Sequence, residues 1–285
     1  MNHQTIVLLA LGAISQVQAA TVIQVSGFQT ELVGTTKTVL GSGTPSNYNS
    51  GVTVGRSAVF DMTKNGADFA DLRVTYQSDN GSVGSKIMIA RTVNSQGLVD
   101  NGTISVLITT AAAGGGTLGG GVGLRFDWFA PGSFVGGVQQ AGAALLTEGI
   151  HYTTFDIDYL QYVTANLADL DSYYLHSATQ LTADVTKTPG VVWFEDNDGR
   201  STIDRPEYAA QFLTRAGAPA SHEVKVGKQA SPQNALFIFE FRDPSTVLDG
   251  FVPIKVSVVP EPTNALGIMF LSVAGLMIRH RRMRS

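Results

Sequence analysis

Residues 195–204 read Glu195-Asp196-Asn197-Asp198-Gly199-Arg200-Ser201-Thr202-Ile203-Asp204 and gather more acid than any other stretch of the chain. A hard cation such as calcium takes several carboxylate and carbonyl oxygens from one tight loop, and a glycine lets that loop turn. Asp196, Asp198 and Asp204 are the candidate ligands. The run departs from an EF-hand loop. With Gly199 in the sixth place, Phe194 falls in the first and Arg205 in the twelfth, and neither side chain binds calcium. The other reading is an acidic turn in which Arg200 and Arg205 offset the carboxylates and Asp204 caps a following helix. The expectation is therefore no cofactor, with calcium at this loop as the alternative.

Asp156 and Asp158 form a second acidic pair, spaced so that both face away from Phe155, Ile157 and Tyr159 on an extended strand. Glycoside hydrolysis needs two carboxyls across a cleft, one with a raised pKa, and an i, i+2 pair does not supply that alone. A solvated strand face is expected, with a share in a calcium site as the other reading. His151, His176 and His222 show no H-E-x-x-H pairing, so isolated surface or turn histidines are expected. No G-x-S-x-G occurs, which leaves a hydrolase elbow without support. Gly114, Gly116 and Gly119 match G-x-G-x-x-G, but no amphipathic helix follows to hold a pyrophosphate. Residues 114–123 read as a flexible loop or linker instead.

The chain has no cysteine, which excludes disulfides, thiolate metal sites and cysteine nucleophiles. Its formal charge is −4, and the body is more acidic still once Arg279, Arg281, Arg282 and Arg284 at the far end are set aside. Phosphate binding wants a basic stripe, so nucleic acid is not an expected partner.

Strands must position these groups. Short apolar alternations lie between turn residues along most of the chain: residues 22–25, 52–60, 72–76, 86–91 and 103–110 read as strands, and 124–132 as a strand and a turn. Turns are expected at Asp79-Asn80-Gly81 and at Asp100-Asn101-Gly102. Residues 191–194, 235–241 and 254–258 continue the pattern. Helix is scarce; residues 206–213 are the one candidate, with Asp204 as N-cap and Glu207 as its capping-box partner. The fold class predicted is all-β, an antiparallel β-sandwich of jelly-roll or Ig-like type, spanning residues 20–258. Phe155, Ile157, Trp193, Phe237 and Phe239 are the expected core.

The two ends carry different text. Residues 6–14 form an apolar run near the N-terminus, and Val17-Gln18-Ala19 places small residues where a signal peptidase reads, with cleavage after Ala19 or Ala20. At the other end Val259-Pro260-Glu261-Pro262 should be rigid and extended, since each proline fixes its own φ and disfavours helix before it. Residues 265–278 follow without a charge and are expected to form a single membrane-crossing helix, which only just reaches across with its flanks. The arginines beyond resist translocation and keep that end cytoplasmic.

This tail, residues 259–285, resembles the PEP-CTERM sorting signal, with all three parts in order at the terminus. The resemblance implies that an exosortase recognises the tail and cuts near the Pro-Glu-Pro, making this chain its substrate. It implies an exported protein, held transiently in the inner membrane and then displayed at the cell surface or released. The text from Leu124 onward also looks like exported bacterial β-sandwich domains with a Phe-Asp-x-Asp strand, a likeness that brings no catalytic residues. Two function classes follow. The first is a non-catalytic surface or matrix protein associated with exopolysaccharide; the second is a surface enzyme acting on glycans. A cleft holding two carboxylates, or a histidine with partners, separates them.

Overall fold

Val122, Leu124, Phe126 and Trp128 alternate with Gly123, Arg125 and Asp127, the two-residue period of a strand with one face in the core. That pattern governs the computed structural model, which describes residues 22–30, 54–55, 57–79, 86–93, 99–109, 121–158, 160–196, 206–228 and 235–255. The strands are β1 (Val22–Thr30), β2 (Ser57–Lys64), β3 (Ala67–Asp79), β4 (Lys86–Val93), β5 (Val99–Thr109) and β6 (Gly121–Phe129). A small hairpin follows, β7 (Phe134–Val135) with β8 (Val138–Gln139). Then come β9 (His151–Phe155), β10 (Gln161–Asn166), β11 (Leu170–His176), β12 (Leu181–Asp184) and β13 (Val191–Asp196). The last four are β14 (Ala210–Thr214), β15 (Ser221–Lys228), β16 (Ala235–Arg242) and β17 (Phe251–Lys255).

Every described pairing is antiparallel. One hydrogen-bonded path runs β12-β13-β10-β15-β6-β3-β2-β1-β16-β9-β14-β11-β17. It branches at β16, which pairs β1 near its end and β5 along its first half; β4 lies outside β5. The path folds over on itself, because rings from strands far apart along it touch. Phe126 of β6 meets Phe239 of β16 at 5.1 Å between centroids, and Trp128 meets Phe241 at 4.9 Å. Farther out, Phe194 of β13 meets Phe212 of β14 at 5.0 Å. The two halves thus close on a single core, in a sandwich-like arrangement.

The core's tightest feature is a stack of four rings. Phe126 and His222 lie 5.2 Å apart, His222 and Tyr152 4.3 Å, and Tyr152 and Phe212 4.7 Å, all nearly parallel. The stack passes from β6 through β15 and β9 to β14 and so stitches the two layers. Glycines open space where it is needed on the outside. Gly121 and Gly227 are register partners, and a Cβ on either would collide with the Tyr162 ring that lies over them. The outermost strand β17 carries Pro253, which has no N–H to offer a further strand at that position.

The structure corrects several expectations. The helix over 206–213 is instead a 3-10 turn at Pro206–Tyr208 followed by β14, because pairing with both β9 and β11 outweighs the capping signals. Asp100-Asn101-Gly102 is no turn but part of β5. Of the strand expected at 52–60, residues 57–60 open β2, Ser57–Lys64, while 54–55 lie in a turn and 52, 53 and 56 lie outside the described residues. Of the expected core, Ile157, Phe237 and Phe239 are fully buried. Phe155 and Trp193 are only half-buried, Trp193 because it faces outward, 5.0 Å from Tyr162. Gly121 to Gly123 of the expected loop at 114–123 are buried strand residues, and 114–120 lie outside the described residues. So do both ends, with Ala19, Ala20 and the residues of the sorting motif. No helix among the described residues is long and apolar enough to cross a membrane.

Candidate functional site

A cleft of about 370 Å³ lies on the outer face of β1, β2 and β3, closed on one side by the loop that leads into β7. Asn65 and Gly66, both at positive φ (54° and 78°), make the tight turn that joins β2 to β3. That turn pairs Lys64 with Ala67, and a bulge between Met62 and Thr63 then shifts the register by one residue, which places Asp61 directly opposite Asp71 on one face. Like charges directly opposite on paired strands repel. Each carboxylate is therefore given its own donor. Gln29 Nε2 donates to Asp61 Oδ1, and Gly27 lies under Asp61 with no room for a Cβ. The Phe134 amide donates to Asp71 Oδ2 at 2.8 Å, with the Gly132 and Ser133 amides beside it. Asp68 stands exposed at the rim.

Asp71 is buried, and burial raises its carboxyl above the usual range; the Phe134 amide pulls it down and the charge on Asp61 pushes it up again. Among the described residues no cation lines the cleft. Arg73, two residues along β3 from Asp71, is turned to Asp127, which accepts from Arg73 Nη2 at 2.8 Å, Arg125 Nε at 2.8 Å and Ser221 Oγ at 2.7 Å. Arg73 also lies 4.9 Å from the centre of the Phe129 ring, so it braces the wall behind the cleft. Burial alone would raise Asp127; the bonds from Ser221 and the two arginines more than offset it and hold its carboxyl low.

This arrangement accepts hydrogen bonds. Ser26, Gln29 and the three carboxylates can meet hydroxyls or a positively charged group. The backbone amides on Asp71 favour its ionised form and work against general-acid use, while burial still raises the carboxyl overall. Asp71 reads as a clasp that ties the 131–134 loop to β3.

No protein-family model matches the chain, and no curated protein matches it. Among solved structures it is similar to the crystal structure of the N-terminal domain of the Streptococcus gordonii adhesin Sgo0707. The identity is 10%, the TM-score 0.43, and the match covers 73% of this chain and 52% of that one. The chain therefore spans about half the length of that structure.

The residues singled out by sequence are placed elsewhere. Asp196 ends β13, is fully buried, and accepts the Leu160 amide at 3.1 Å. Asp198 and Asp204 lie outside the described residues. Among the described residues no group of three or more acids or histidines is arranged to hold a metal. Asp156 and Asp158 do not share a solvated strand face. β9 stops at Phe155, Asp156 takes a left-handed φ of 65°, and both carboxylates are buried. Asp158 accepts from Gln161 Nε2 at 3.3 Å, and its charge bears on the buried Lys228. Burial is the larger influence there and lowers the Lys228 pKa.

The histidines also differ from expectation. His222 and His151 are buried, at 2% and 0% exposure, and only His176 is partly open. His222 sits between two rings, and His151 Nδ1 donates to the Thr246 carbonyl at 2.6 Å. Sequence reading missed Asp61, Asp68 and Asp71. The available signal was Asn65-Gly66, a strong hairpin pair, but counting outward from it puts Asp61 opposite Ala70, and only the bulge between Met62 and Thr63 brings it opposite Asp71.

Proposed function

We propose that this chain is an exported surface or matrix protein, processed by an exosortase at Val259-Pro260-Glu261-Pro262 and associated with exopolysaccharide without catalysing a reaction. Signal peptidase removes the leader after Ala19 or Ala20. Residues 265–278 then hold the intermediate in the inner membrane, with Arg279, Arg281, Arg282 and Arg284 on the cytoplasmic side. Within the all-β class we read the body, residues 20–258, as a jelly-roll or Ig-like sandwich. The observation that carries the reading is the ordered tail (prolines, uncharged run, arginines) behind an acidic β body. In a host carrying its exosortase the protein leaves the membrane fraction; in the same host without that enzyme it stays there. Equal release from both would refute the sorting step.

The cleft gives a second reading its one supporting observation. Two carboxylates face each other there, one with a raised pKa, which is what a glycan-active enzyme requires. The amides on Asp71 favour the binding role. The purified protein is expected to co-sediment with extracted exopolysaccharide and to release no reducing ends. Asp68→Ala, at the exposed rim, should weaken co-sedimentation several-fold with little change in stability. Release of reducing ends that Asp71→Asn abolishes would favour the enzyme instead.

Calcium is the ion that residues 196–204 would suit. A site there raises stability by RT ln(1 + [L]/Kd), about 2.7 kcal/mol at a hundredfold excess over Kd. The thermal midpoint in millimolar calcium against chelator measures it. A rise lost in Asp198→Ala assigns the ion to Asp196, Asp198 and Asp204; no rise retires it.

A further inference from the structure

β16 and β17 are consecutive in the chain, yet β9, β14 and β11 lie between them in the sheet. Residues 243–250 therefore cross the outer face of three strands as a strap. The crossing is roughly 19 Å at ~4.8 Å per strand spacing, and the strap's full reach is under ~30 Å, so it runs close to the sheet. Its start is fixed by an ion pair between Asp243 and Lys64. Its middle is fixed where His151 Nδ1 meets the Thr246 carbonyl and where the Leu248 amide donates to Gln211 Oε1 at 3.3 Å. Leu248 packs against the cluster of Tyr174, Ala209 and Phe251, and the Gly250 carbonyl accepts the Ser177 amide at 2.8 Å.

Beneath the strap, three side chains on one outward face carry a polar atom with no hydrogen-bond partner in the protein: His151 Nε2, Thr153 Oγ1 and Gln211 Nε2. All three residues are fully buried. Thr153 and Gln211 are register partners on β9 and β14, and His151 is two residues along β9. Such neighbours stand about 5–7 Å apart at Cβ. An unmet buried donor or acceptor is costly, so three together under a close cover call for a shared partner.

The chemistry of that partner is fixed by the strap. Because His151 Nδ1 faces a carbonyl it carries the proton, and Nε2 is left as an acceptor. Because Gln211 Oε1 takes the Leu248 amide, its NH2 is turned into the site as a donor. A metal cation would meet that NH2 and be repelled, and an anion would offer Nε2 nothing. A small neutral group that both donates and accepts satisfies all three atoms. We propose that His151, Thr153 and Gln211 form a binding site for one internal water molecule, which donates to His151 Nε2, accepts from Gln211 Nε2 and bonds Thr153 Oγ1, and so anchors the strap to the sheet.

Thr153→Val in the full chain tests this, since the side chains match in shape and only the hydroxyl is lost. With a water bridging the three atoms, the variant strands one of its bonds, and the thermal midpoint falls by about 2–4 °C. In a dry site the same change removes an unmet hydroxyl, and the midpoint rises or stays. A rise or no change overturns the proposal. A high-resolution crystal structure of the wild-type protein gives an independent reading. A solvent peak within about 3.2 Å of all three atoms is the result expected. A direct bond from Gln211 Nε2 to Thr153 or His151, with no such peak, contradicts it.

Discussion

Lowering the pH from 7.5 to 4.5 is expected to remove about 3 kcal/mol of folding stability through His222 alone. The ring lies between Phe126 and Tyr152, fully inside the core, and neither nitrogen has a hydrogen-bond partner in the protein. Burial holds its pKa down at about 3, although the charge on Asp127 pulls the other way. An unfolded histidine takes its proton near 6.5, the folded one only near 3. Between those values the unfolded state binds the extra proton, so stability is complete above pH 6.5 and lost as pH falls below it. His151, lowered first by burial, adds to the loss in the same sense. Asp71 and Asp169 act oppositely, since burial raises both and the folded state then holds their protons more tightly. Those contributions cancel when a variant is compared with wild type at each pH.

His222→Leu provides that comparison. It places an apolar side chain of similar volume where the ring sits and removes the titrating group. Urea unfolding at steps from pH 7.5 to 4.5 should show the variant gaining on wild type by about 3 kcal/mol across the range. The largest gain falls below pH 6.5. Parallel pH profiles for the two proteins would mean that the ring is not held neutral in the core. A domain of this kind has about 5–15 kcal/mol in all, so the effect is large enough to bring acid unfolding within reach.

How much of this was legible in the sequence depends on how far apart the cooperating residues lie. The strands around Phe126 and Phe239 were readable, because alternation is local and the core face follows from it. The same alternation misled at Asp156. There the chain leaves β9 when Asp156 turns left-handed and the Ile157 amide bonds the Tyr208 carbonyl, a partner far along the chain. The helix signals at Asp204 and Glu207 were sound locally, but Phe212 had rings to join in the core. His222 has an ordinary neighbourhood in sequence; what defines it is Tyr152, supplied by a strand in the facing layer. The cleft was hidden for a similar reason. Asp61 and Asp71 become a pair only through register, and Gln29 and Phe134 reach them from two other segments.

The sorting reading has the second large expected effect, since it removes a whole segment. On the proposed sorting reading, Pro260 and Pro262 are expected to keep the cut region extended and the arginines to hold the far end on the cytoplasmic side, so that the uncharged run would be presented to a membrane-embedded enzyme. Cleavage near the Pro-Glu-Pro would separate the body from the uncharged run and discard every arginine of the tail. The direct measurement is the intact mass of the protein recovered from outside wild-type cells that carry the exosortase. The expected species begins at Ala20 or Thr21 and ends near Pro260-Glu261-Pro262. A recovered species that still contains residues 279–285 would contradict the account.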